Sequence, residues 1–273
     1  MVKKVVIEDA IMFIDTNIFL DFYRYRKTDS SIESLEKIQA VAGKLILTSQ
    51  VEMEYQKNRQ KVILETYKQR KAENDNSQTP EIISSIKAID MINSLKKEMK
   101  KQELKVKEKL EKILINPASN DDVYKYFKRI YKLASEEFKL TTESEKWSEI
   151  NGKALDRFQM GYPPRKKDDT SYGDAINWEW VIHCALVSGK NIIIVTRDSD
   201  YGVMHNGNIY LNDWLKAEFK SRLSQKRKIE VTSSLSKALK MLNVSVSQEA
   251  QDTEDELIEG LRDSINGSSS LDS

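Results

Sequence analysis

The chain has a single cysteine, Cys184, so no disulfide can close within it, and a reducing compartment suits it. Long apolar runs are also missing. The longest are a few residues, far short of the ~20 that a membrane-spanning helix needs. Met1 leads into Lys3-Lys4 and a short apolar stretch with no hydrophobic leader core, so no secretory signal is expected. With 44 basic and 43 acidic residues, net charge names no partner. There are only two histidines: His183 falls within an apolar helical pattern and His205 beside glycine in a turn, so neither is assigned a role. No serine, cysteine or histidine is set up as a nucleophile. The glycine fingerprint of a dinucleotide site and internal repeats are lacking too. These absences point to a soluble, cytoplasmic protein. Its 273 residues are enough for a sizeable core in one or two domains.

What is present is strand–helix alternation at both ends of the chain. Residues 2–14 predict a strand, and Ile18, Phe19, Phe22 and Tyr23 recur at helical steps over 17–27. Ser31 to Val41 is amphipathic, and Lys44–Thr48 predicts a second strand. Ser49 stands where a cap would open a long helix, with Glu52 as its capping-box partner. A turn cluster at 72–80 leads to a long helical pattern from Pro80 to about Ile115. Its apolar residues approach coiled-coil spacing, and Lys96–Lys112 carries eight lysines and four glutamates. Asn116-Pro117 breaks it, and 121–160 is helical again. From Asp174 to Gly189 a helical period returns, followed by the apolar run Asn191–Val195, which has the pattern of a buried parallel strand. Residues 209–222 suggest an extended piece and a helix, 229–232 a last strand, and 234–242 a last helix. The final 27 residues carry eight acids against one base, Arg262, so the chain from 244 to 273 is expected to be an acidic, Ser/Gly-rich, disordered tail.

This alternation implies an α/β fold with a central parallel sheet and helices on both faces. Residues 1–243 form the domain, and about 72–165 is a long helical insertion. Open α/β sheets place their sites beyond the carboxyl ends of the strands. Four acids converge there. Asp15 ends the first strand, Glu54 lies in the first turns of the helix after the second, Asp174 opens a helix, and Asp198 ends the strand that helix feeds. Packed carboxylates repel one another unless a cation neutralises them. Hard oxygen ligands suit Mg²⁺ or Mn²⁺, and such a site fits phosphodiester hydrolysis. Phosphatases that need a second aspartate two residues after the first are excluded, because that position is Asn17.

Three segments resemble the PIN-domain nucleases, a superfamily shared with the flap endonucleases. They are Phe13-Ile14-Asp15-Thr16-Asn17 with Phe22-Tyr23-Arg24, then Gln50-Val51-Glu52-Met53-Glu54-Tyr55 with Asn58-Arg59, and Gly173–Trp178 through Ile193–Asp198. The Tyr-Arg and Asn-Arg pairs are similar to a bacterial PIN-like branch with a long helical insertion. The resemblance covers roughly residues 10–70 and 170–240 and implies a three-layer α/β/α fold. It implies that Asp15, Glu54, Asp174 and Asp198 bind the metal, with Asp200 as a fifth acid. Asn17 and Thr196 would position the site, and Arg24 and Arg59 would hold phosphate or form surface ion pairs. The activity implied is an endoribonuclease using Mg²⁺ or Mn²⁺, with RNA favoured over DNA. A protein inhibitor or a homo-oligomer is left open. The rival is a non-catalytic PIN-like scaffold that binds RNA or protein. The lysine-rich helix is either a solvated face or an arm for a polyanion, and the acidic tail could fold onto it and mimic nucleic acid.

Overall fold

The computed structural model describes residues 6–24, 30–72, 86–165, 170–205 and 207–268. Its centre is a five-stranded parallel sheet of β1 (Ala10–Ile14), β2 (Leu45–Thr48), β3 (Lys139–Leu140), β4 (Asn191–Val195) and β7 (Ile229–Thr232), in the order β3-β2-β1-β4-β7. The centre is built from the most apolar stretches. Ile11 to Ile14 and Ile192 to Val195 are fully buried, and Ile11 pairs with Ile192 through to Ile14 with Val195. Strands covered on both faces have no polar side to alternate with, so continuous apolar runs mark them.

Around the sheet, α1 (Thr16–Leu20) and α3 (Ser49–Ala72) follow β1 and β2, with α2 (Ser31–Ala40) between them. Thr48, not Ser49, caps α3: its Oγ1 accepts from Val51 N at 3.1 Å, while Glu52 pairs with Lys128 at 2.6 Å instead of closing a capping box. After α4 (Lys87–Ile115), α5 (Pro117–Asn120), α6 (Asp122–Leu133) and α7 (Trp147–Gln159) lead to α8 (Gly173–Ser188), whose C-terminus stops at Gly189 in the left-handed conformation (φ 65°). The hairpin β5 (Gly202–His205) and β6 (Asn208–Leu211), then α9 (Asp213–Arg222), α10 (Leu235–Met241) and α11 (Gln248–Ser268), complete the chain. Helices α7 and α8 pack together on one side, and α8 touches β2. Helices α2, α10 and α11 form another group, with α10 on β4 and β7. The result is a three-layer α/β/α arrangement.

Several expectations are corrected. Residues 6–9 precede the first strand, and 1–5 lie outside the described residues. The first helix ends at Leu20 in a short 3-10 turn, Asp21–Tyr23. The stretch 121–160 is not one helical run, because the edge strand β3 interrupts it and pairs with β2. Thus the expected insertion supplies part of the sheet and core, including Phe127, Ile130, Phe138 and Leu140. The turn cluster at 73–80 falls outside the described residues, and no residue of α4 is buried.

The tail is corrected most. Residues 248–268 form a helix rather than a disordered tail, with Ala250 and Ile258 buried, and it packs against α10 and α2 instead of the lysine-rich insert. Glu254 is 4% exposed and fully engaged. It accepts from Leu235 N at 2.6 Å, Ser236 N at 2.8 Å and Ser234 Oγ at 2.9 Å, and pairs with Arg197 at 3.3 Å. A carboxylate on those amides satisfies donors that the start of α10 cannot pair within the helix.

Two buried charge networks fasten the helices. Arg157 and Arg222 meet Glu179 and Glu218 across α7, α8 and α9. Burial pushes the Glu179 carboxyl up, but hydrogen bonds and charge from Arg222 and Arg157 outweigh it and leave the group below its ordinary pKa. Arg59 and Asp121 pair at 2.6 Å and are 3% and 4% exposed. Tyr23 Oη donates to Asp121 at 2.8 Å and shares a 2.6 Å hydrogen bond with Tyr55, and Arg59 also donates to Ile113 O at 2.9 Å.

Candidate metal centre

Each acid reaches the carboxyl edge of the sheet for a local reason. Asp15 follows the last residue of β1. Its N–H donates to Val195 O at 2.9 Å, which extends the β1–β4 ladder by one residue and fixes the direction of the side chain. Glu54 sits in the second turn of α3, one helical step beyond Gln50, which donates to its Oε1 at 2.6 Å. Thr16 donates to its Oε2 at 2.8 Å. Asp174 lies in the first turn of α8. There Gly173 allows a close approach: a Cβ in its place would stand 2.1 Å from Gln50 Nε2 and 2.9 Å from Glu54 Oε1. Asp198 and Asp200 lie in the turn after β4. Asp198 N donates to Thr196 Oγ1 at 3.0 Å, and Asp200 N to Asp198 Oδ1 at 3.2 Å.

Thr196 joins the two halves, since its hydroxyl also donates to Asp15 Oδ2 at 2.7 Å. Asp174, Asp198 and Asp200 each offer a carboxylate oxygen within 4.8 Å of the others. Asp15 and Glu54 are outside that tightest group but are coupled to it by charge. Asp15 is 4% exposed, and its pKa is raised to about 6. Burial is the main cause, opposed by the Thr196 hydrogen bond and reinforced by the charges of Asp198 and Glu54.

Other expected site residues are placed differently. Asn17 is half-buried in the first turn of α1, two residues past Asp15. Arg24 pairs with Asp21, a carboxylate 1% exposed that also pairs with Arg197. Arg59 is sealed against Asp121, so it is a core cation rather than a surface or phosphate-holding one. Sequence reasoning passed over three contributors: Gln50 and Thr16, which orient Glu54, and Tyr201, which directly follows Asp200. Tyr201 is fully buried, and its hydroxyl has no hydrogen-bond partner among the described residues. Burial, then the charges of Asp174, Asp15, Asp198 and Glu54, hold its pKa well above 10.

A family model described as PIN domain matches residues 12–201, a span that begins in β1 and ends at Tyr201. The chain belongs to the PIN-domain family. No curated protein and no solved structure matches it. The family is of nuclease type, and the site agrees with a divalent cation on two observations. All the ligands brought together are hard oxygens, and a buried donor, the Tyr201 hydroxyl, stands among their charges without a protein acceptor. Among the described residues no helix is long and apolar enough to cross a membrane.

Proposed function

We propose that this PIN-domain protein is a Mg²⁺- or Mn²⁺-dependent endoribonuclease acting on single-stranded or structured RNA. The observation that carries the reading is the convergence of Asp174, Asp198 and Asp200 oxygens within 4.8 Å, beside an Asp15 whose pKa stands at about 6. Three carboxylates this close repel one another, and a doubly charged ion relieves that repulsion. Asp174, Asp198, Asp200 and Asp15 would hold the cation, and Glu54, fixed by Thr16 and Gln50, would complete the shell. When bound, the cation supplies Lewis acidity toward the phosphodiester and lowers the pKa of water. The chain's own residues do the rest. Thr196 keeps Asp15 oriented, and the carboxylates accept the proton that the attacking water loses.

Nucleic acid would be drawn in by the exposed lysines of α4, because the inward-looking Arg24 and Arg59 are both committed to carboxylates. The deciding experiment incubates the full chain with single-stranded RNA, single-stranded DNA and duplexes in Mn²⁺. RNA cleavage that Asp174→Asn abolishes supports the reading. Equal cleavage by the variant overturns it, and no cleavage of any oligonucleotide favours the scaffold reading.

A further inference from the structure

The donors around the carboxylates are accounted for one by one, except one. Thr16 spends its hydroxyl proton on Glu54, Gln50 its amide on Glu54, and Thr196 its hydroxyl proton on Asp15. The remaining donor is the Tyr201 hydroxyl. It has no partner among the described residues, although the residue is fully buried and four carboxylates act on it by charge. The ring is held firmly: it lies 6.4 Å from Phe13, two residues before Asp15, and Tyr201 O accepts from Asn212 N at 2.9 Å. Packing alone does not require the oxygen, since phenylalanine fills the same volume, and burying an unpaired hydroxyl costs stability. A donor kept at that cost, among groups that can only accept, is placed to serve an oxygen that arrives from outside.

We propose that Tyr201 is a positioning residue whose hydroxyl donates a hydrogen bond to a water of the hydrated divalent cation held by Asp15, Glu54, Asp174, Asp198 and Asp200. The inference rests on the metal-centre reading above and deepens it. A hydrogen bond from a neutral donor restrains the water, and the raised pKa of the phenol keeps the donor protonated throughout the working pH range.

The test is Tyr201→Phe in the full chain, which removes one oxygen and leaves the packing intact. Three quantities are measured: thermal stability without metal, affinity for Mn²⁺ alone by calorimetry, and the cleavage constants. Metal-free Tm should be equal to or above wild type, because the lost hydroxyl has no partner in the protein. Mn²⁺ affinity should fall about tenfold, the scale on which groups that orient metal ligands act. In cleavage, kcat should fall with KM little changed. An unchanged Mn²⁺ affinity overturns the proposal, as does a lowered metal-free Tm with normal Mn²⁺ binding, which would make the hydroxyl structural. If the wild-type protein cleaves nothing, the nuclease reading fails while the Mn²⁺ comparison still decides the role of Tyr201.

Discussion

Asparagine in place of Asp15 removes a charge that the metal-free fold must carry at a cost. The carboxyl is 4% exposed and its pKa rises from 3.8 to about 6 in the folded protein. Between those two values the folded state keeps a proton that the unfolded chain has lost. Stability therefore falls as pH rises through this window, and the full penalty is present above about pH 6. At about 1.4 kcal/mol per pH unit the penalty is about 3 kcal/mol. The amide oxygen of the variant can still accept the Thr196 hydroxyl, so the charge is lost without losing that bond. In EDTA at pH 7.5, Asp15→Asn should be the more stable protein by up to ~3 kcal/mol, a Tm gain on the order of 5–10 °C. Near pH 4 the two proteins should melt together. Saturating Mn²⁺ should invert the order, because an ion at 100 times its Kd adds about 2.7 kcal/mol to the protein that binds it and nothing to one that does not. Thermal melts from pH 4 to 8, with and without Mn²⁺, give the whole comparison. If Asp15→Asn is destabilised equally at every pH in EDTA, burial of charge is not what strains this site, and there is no repulsion for a metal to relieve.

Arg59→Met should cost about 3–5 kcal/mol in urea unfolding, because it strands Asp121 as a buried unpaired carboxylate. The protein that remains folded should cleave RNA near the wild-type rate, and a selective loss of RNA affinity would instead restore Arg59 as a phosphate ligand. Gly173→Ala should leave stability within about 1 kcal/mol but lower Mn²⁺ affinity about tenfold, because the new methyl displaces Gln50 and with it the 2.6 Å bond that aims Glu54. Calorimetric titration reads this directly, and wild-type affinity would show that Glu54 is not a ligand. Removing residues 247–273 should destabilise the fold by about 2–4 kcal/mol and raise no activity, since Glu254 caps α10 and holds Arg197. A truncated chain of wild-type stability and higher rate at low salt would reinstate the tail as an inhibitor.

The parts of this fold that were legible are those where one residue's character decides its place. Ile11–Ile14 and Ile192–Val195 could only be buried strands, and the acids at their ends share an edge as soon as the sheet is parallel. The edge strand β3 was not legible, because two residues carry no periodicity. Arg59 was misplaced because its partner, Asp121, lies 62 residues on, across the insertion, and no local pattern links the two. In α11 the signal was present but outvoted. Ala250, Glu254, Leu257, Ile258 and Leu261 recur at three- and four-residue steps, but the acidic composition around them pointed to a solvated chain. The centre of that stripe is itself an acid, counted as polar by any hydropathy measure. It is buried because the Ser234 hydroxyl, the Leu235 and Ser236 amides and the Arg197 guanidinium all meet its oxygens. Tyr201 shows the converse limit. Tyrosine and phenylalanine are nearly equivalent to a reading of apolar pattern, and only the position of one oxygen among four carboxylates separates a packing residue from one that can hold water in a metal centre.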